Sequence, residues 1–165
     1  MKATIFLFFF CMGTVLLFPA CRGGAYVEEK GKAGISTLGL EDSIIVAQVP
    51  DSLFQDLGDG LKLAIIKEGE GEFVRQGSSV TVHYIGTFKD GREFENSQSK
   101  KVPFSFVPGQ EMVIEGWEKA ITRVRYGAKA VIEVPPDMAY GKEGREPTIP
   151  PQSTLIFYLN VLGEF

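Results

Sequence analysis

Cysteine is nearly missing from this chain. Its 165 residues hold two, Cys11 and Cys21, and both lie within the first 21 positions. Everything after residue 21 is therefore without a disulfide, a thiolate zinc cluster or a thiol nucleophile. Histidine is scarcer still: His83 stands alone. With no second histidine, no nearby cysteine and no serine signature, it offers neither a metal set nor a catalytic triad, and a structural or solvent-facing role is expected. No metal site is expected from the acids either, because Glu68, Glu70 and Glu72 around Gly69 and Gly71 lack a calcium-loop pattern and read as a solvated turn. Positive charge is also in deficit, with 17 basic against 21 acidic residues and a formal charge of −4. Residues 1–21 carry Lys2 and no acid, so the remainder is more acidic still, and nucleic acid is not expected as a partner.

Long apolar runs are confined to one, residues 5 to 18. It is too short for a confident membrane span, and with Lys2 before it and Pro19-Ala20-Cys21 after it, it reads as an export signal over residues 1–21. Cys21 after Ala20 resembles the cleavage site of a bacterial lipoprotein, where the new N-terminal cysteine is acylated. Phe18 and Pro19 depart from the Leu and small residue usual at those positions. The expectation is lipid attachment at Cys21 and a place in the bacterial cell envelope, anchored to a membrane and facing the periplasm or the outside. Simple secretion is the alternative.

What is present is ordinary for one globular domain: 44% apolar, 23% charged, with 19 Gly and 9 Pro for turns. Residues 22–59 begin rich in Gly and charge without a sustained period and are expected to be a tether, although 42 to 58 holds enough Ile, Val, Leu and Phe for a short packed segment or helical turn. The domain is expected over 60–165. Alternation at Leu61, Leu63 and Ile65, at Val80, Val82 and Tyr84, around Val131 and Val134, and at Leu155, Phe157 and Leu159 predicts half-buried strands. Asp90-Gly91 predicts a hairpin turn, because Gly accepts positive φ. Only Ile114, Trp117, Ile121 and Val124 recur at helical spacing, which predicts a helix over about 115 to 125, stopped by Gly127. Many antiparallel strands and one short amphipathic helix make an α+β domain, a curled sheet wrapped around the helix.

Six segments carry aromatics in distinctive settings: VTVHYIG (80 to 86), DGREFENS (90 to 97), VPFSFVPG (102 to 109), VIEGWEKAI (113 to 121), PPDMAYG (135 to 141) and IPPQSTLIFYLNV (149 to 161). Together they resemble FKBP-type peptidyl-prolyl cis/trans isomerases, from about Leu61 to the C-terminus. The resemblance implies the same α+β fold and a pocket with Tyr84, Phe94, Glu95, Trp117, Tyr140 and Phe157 as catalytic residues and Phe104, Val113, Ile114 and Ile149 as substrate-binding ones. Trp117 is the implied floor under the proline ring, and Phe94, Phe104 and Phe157 the walls. Tyr140 and the Ile114 N–H are the implied donors to substrate carbonyls. No cofactor is needed, and the implied partners are proline-containing polypeptides, unfolded or nascent exported proteins among them, met by a monomer.

This chain departs from the family pattern at Glu95, where Asp is usual, and at Lys100, where Arg is. Met112, Arg145 and Thr148 replace a common acid, a His and an Ile. The first pair keeps opposite charges but alters their geometry. The loop from 142 to 149, which holds Arg145 and Thr148, is the expected overhang above the proline, and these changes are expected to alter preference for residues flanking the proline. A second reading keeps the same cleft in a peptide-binding, chaperone-like module with weak turnover.

Overall fold

The computed structural model describes residues 49–163; the expected signal, Cys21 and most of the expected tether lie outside them. Among the described residues seven strands form one antiparallel sheet: β1 (Gln55–Gly58), β2 (Leu61–Lys67), β3 (Val80–Phe88), β4 (Glu93–Asn96), β5 (Phe104–Phe106), β6 (Lys129–Val134) and β7 (Leu155–Gly163). The order across the sheet is β1-β2-β6-β7-β3-β4. One edge of β3 is shared by two short strands, since Val80 to Val82 pair with β5 and Ile85 to Thr87 with β4. That sharing brings Phe94 and Phe104, ten positions apart, to the same side of β3.

The sole α-helix among the described residues, α1 (Glu115–Ile121), lies on the concave side and buries Gly116, Trp117, Ala120 and Ile121. A side-chain carbon on Gly116 would collide with Val134 of β6, so its absence lets the helix backbone rest directly on the sheet. Val124 continues the apolar face and is fully buried, as the spacing predicted, but the helix ends earlier than 125. Beyond Ile121 the chain tightens into three-residue bonds, Arg123 N–H to the Ala120 carbonyl and Val124 N–H to that of Ile121, both 3.0 Å. This turn is imposed from outside, because Arg125 must bridge Phe73 and the Tyr126 N–H must reach Glu72. Gly127, with φ 84°, therefore turns the chain into β6 rather than stopping the helix.

The hairpin at Asp90-Gly91 forms as its residues dictate. Gly91 takes φ 84°, and Phe88 and Arg92 close a three-residue loop. Leu61 and Leu63, Val80 and Val82, and Leu155, Phe157 and Leu159 all enter the core. In β6 the expected half-buried strand around Val131 and Val134 is instead buried on both faces. Ala130, Ile132 and Val134 join the helix-side core, while Val131 joins Ile85 and Tyr158 in a second cluster behind the sheet. Val49, Phe54, Ile66 and Ile156 pack onto that rear cluster. Within 42 to 58, Val49 and Phe54 thus pack on the sheet, Asp51–Leu53 makes a 3-10 turn, and β1 is mostly exposed.

At the sheet surface Glu133 faces Lys62 across the β2–β6 pair at 3.5 Å and meets Lys89 at 2.8 Å. Burial alone pushes its carboxyl up, but Lys89 and then Lys62 outweigh it and hold the group below its ordinary 4.5. A depressed folded value means stability present above 4.5 and lost as pH falls through the folded one. Glu133→Gln is expected to lower stability at pH 7 by up to about 1 kcal/mol. In urea melts that gap should close as the pH drops below 4.5.

Candidate active site

A cavity of about 320 Å³ opens on the concave side, lined by Tyr84, Phe94, Glu95, Phe104, Met112, Val113, Ile114, Trp117, Tyr140, Arg145 and Phe157. Trp117, near the start of α1, is 4% exposed and is the hub of the rings. Tyr84 and Phe157 stand edge-on to it at 5.2 and 5.3 Å with planes near perpendicular, and Phe104 meets it at 6.4 Å. Phe94 packs edge-on to Phe157 at 5.7 Å. Perpendicular packing places the positive edge of one ring on the negative face of the next and leaves a notch between them. Phe106 and Phe88, which the sequence did not single out, support these walls from behind, Phe106 against Trp117 at 5.7 Å and Phe88 against Phe94 at 5.1 Å. Their places on the inward register of β5 and at the end of β3 were the available signal.

Gly86 makes room for the two innermost walls. A side-chain carbon there would lie 2.6 Å from Phe94 Cζ and 3.2 Å from Phe157 Cε1. Ile114 caps α1 with an extended backbone, and its N–H makes no hydrogen bond among the described residues, while its carbonyl accepts from Trp117 at 2.9 Å. That leaves a donor at the pocket edge. A second unpaired donor, the Trp117 indole N–H, is buried at the floor.

The polar side of the cavity is built on Glu95. One oxygen meets Lys100 Nζ at 3.4 Å, and the other lies 3.9 Å from Arg145 Nη1. Burial first, then the charge of Glu95 and a hydrogen bond to it, push the Tyr84 hydroxyl far above the usual phenol range, so it remains a protonated donor. Arg145 Nη1 donates to the Tyr140 hydroxyl at 3.4 Å, and that contact is the main influence strengthening the hold of Arg145 on its proton.

Nine of the ten pocket residues implied by resemblance come together on this cavity. Ile149 does not line it; at 2% exposure it is buried in the core, where its backbone pairs with Arg145. Met112 and Arg145, noted in the sequence only as departures, do line it. His83 stays off the site, half-buried, with Nδ1 3.1 Å from Ser97 Oγ. Glu68, Glu70 and Glu72 are exposed, with Glu72 paired to Arg75 at 2.7 Å.

The cavity can seat a five-membered ring against aromatic faces and hold the neighbouring amide between fixed donors, and no nucleophile or metal set among the described residues faces it. The class of protein so defined handles proline peptides without covalent chemistry. Residues 70–162 match the family model of the FKBP-type peptidyl-prolyl cis-trans isomerase, and the chain belongs to that family. It is a peptidyl-prolyl cis-trans isomerase acting on proline-containing polypeptides. Among curated proteins it is 38% identical over 104 residues to peptidyl-prolyl cis-trans isomerase FKBP1A of Xenopus laevis, a match covering 62% of this chain and 96% of that one. Among solved structures, the N-terminal domain of FKBP42 from Arabidopsis thaliana superposes with TM-score 0.65 at 30% identity, covering 71% of this chain and 98% of that one. FkpA from Escherichia coli gives 0.64 at 34% identity, over 74% of this chain and 55% of that one.

Proposed function

We propose that this isomerase is exported, lipid-anchored through Cys21 and active as a monomer on envelope or secreted proteins that are still folding. The N-terminal pattern of Lys2, apolar run and Ala20-Cys21 supports the address. An acyl chain contributes about 0.8 kcal/mol per buried CH₂, so a multiply acylated cysteine holds a membrane firmly. Mass spectrometry of the mature N-terminus tests this: an acylated Cys21 is expected, and an unmodified terminus elsewhere overturns it.

The observation that carries the catalytic assignment is the ring of aromatics around Trp117. Resonance gives the peptide C–N bond a rotational barrier of about 18–20 kcal/mol. The twisted amide at the top of that barrier has less charge separation than the planar form, so an apolar cleft favours it over the ground state. Trp117, Phe94, Phe104 and Phe157 hold the proline ring, Val113 fills the side of the notch, and Ile149 acts from beneath by fixing the loop. The Ile114 N–H and Tyr140 hydroxyl orient the carbonyls, and Tyr84 with Glu95 closes the polar wall. Tyr140→Phe removes one donor without removing a ring, and a loss of about three- to tenfold in kcat/KM on an X-Pro peptide is expected, the worth of about one hydrogen bond. A Tyr140→Phe enzyme as fast as wild type would show that the hydroxyl orients nothing.

A further inference from the structure

We propose that Arg145 makes this isomerase prefer an acidic side chain in the residue immediately before the proline. The inference rests on the isomerase assignment and concerns which sequences the site selects.

Arg145 has a rigid base. Its N–H donates to the Ile149 carbonyl at 2.7 Å, while its own carbonyl accepts from Ile149 at 2.8 Å and from Thr148 at 3.0 Å. Ile149 is buried, so this tight loop is anchored in the core and not free to swing. On the near side the Gly144 N–H donates to the Tyr140 carbonyl at 3.0 Å, tying the loop to the residue it overhangs. The guanidinium carbon consequently sits 5.8 Å from the Tyr140 ring centre, at the mouth of the cavity.

The pairing at that mouth is incomplete. Glu95 and Arg145 are the charged residues among those lining the cavity, and Glu95 is already engaged by Lys100 at 3.4 Å. Its separation from Arg145 is a loose 3.9 Å, and the Arg145 side chain is 55% exposed. One acid is thus divided between Arg145 and Lys100, so the loose contact with Glu95 leaves the guanidinium incompletely paired in a pocket whose other lining residues are uncharged. A guanidinium more than half exposed, with five N–H donors, is suited to a carboxylate in forked geometry.

Position selects the residue that benefits. With the proline ring on Trp117 and the carbonyl before it at the Tyr140 hydroxyl, the preceding side chain leaves the backbone one bond from that carbonyl. Arg145 Nη1 lies 3.4 Å from the same hydroxyl. A Glu or Asp side chain spans that gap, a Gln reaches it without charge, and a Lys meets repulsion.

The test compares proline isomerisation in two peptides identical except for Glu or Gln before the proline, using the full chain. At low ionic strength the Glu peptide is expected to have about two- to fivefold higher kcat/KM, the range of an exposed ion pair, shrinking as salt is added. Arg145→Gln should bring the ratio to about one, and Arg145→Glu should invert it. Arg145→Lys, which keeps the charge, should retain part of it and serves if the acidic variant fails to fold. A wild-type ratio of one, or a ratio that survives Arg145→Gln, overturns the proposal while leaving the isomerase assignment standing. A folded wild type that turns over neither these peptides nor a Leu-Pro peptide overturns both.

Discussion

Trp117→Ala is expected to cost about 3–5 kcal/mol of stability and to abolish measurable isomerisation. The ring is 4% exposed and touches Tyr84, Phe104, Phe106 and Phe157, so its removal leaves a void in the core and takes the floor from the cavity at once. Against a total stability of about 5–15 kcal/mol, the domain should remain folded at 25 °C with a much lower urea midpoint. Because Trp117 is the chain's single tryptophan, the unfolding must be followed by circular dichroism and not by indole fluorescence. Trp117→Phe separates the two effects. It keeps an aromatic floor and removes the buried unpaired indole N–H, which relieves a desolvation penalty, so its stability loss should be well below that of the alanine variant. Equal losses for Phe and Ala would mean that the indole is held by something other than ring packing.

Gly86→Ala should show the opposite division, with a small stability change and a large loss of activity. The added carbon would lie 2.6 Å from Phe94 Cζ and 2.7 Å from its Cε2, closer than packed carbons come. Phe94 is only half-buried, so its ring can yield at a stability cost of about 1 kcal/mol. The yielding ring, however, is the wall against which the proline must fit, and a displacement of about 1 Å in a positioning group lowers rates by roughly tenfold to a hundredfold. The expected result is a thermal midpoint within a few degrees of wild type and at least about a tenfold drop in kcat/KM. If both stability and turnover are unchanged, the contact between β3 and the Phe94 ring does not shape the site.

The parts of this molecule legible in the sequence are those set by short-range chemistry. The Asp90-Gly91 turn needs only a residue that accepts positive φ, and β7 needs only the alternation of Leu155, Phe157 and Leu159. The helix was legible in its start and its buried face but not in its end, because the early tightening after Ile121 answers to Phe73 and Glu72, some fifty positions upstream. Strand β1 lay hidden inside an apparent tether, since its burial pattern is almost wholly exposed and its pairing with β2 is what makes it a strand. For the site, the ring residues were legible as a joint pattern, whereas the rim was not. Whether Ile149 or Arg145 faces the cavity depends on the backbone pairing of those two residues to each other, and no periodicity in a loop encodes that.

The rear cluster of Ile85, Val131 and Tyr158 fixes an orientation as well as a fold. Along β3 the neighbours Tyr84 and Ile85 point to opposite sides, one into the cavity and the other toward Phe54 and Val49. The described chain therefore joins the domain on the side away from the mouth. Val49, the first described residue, is thereby packed on the face of the sheet opposite the proline cleft.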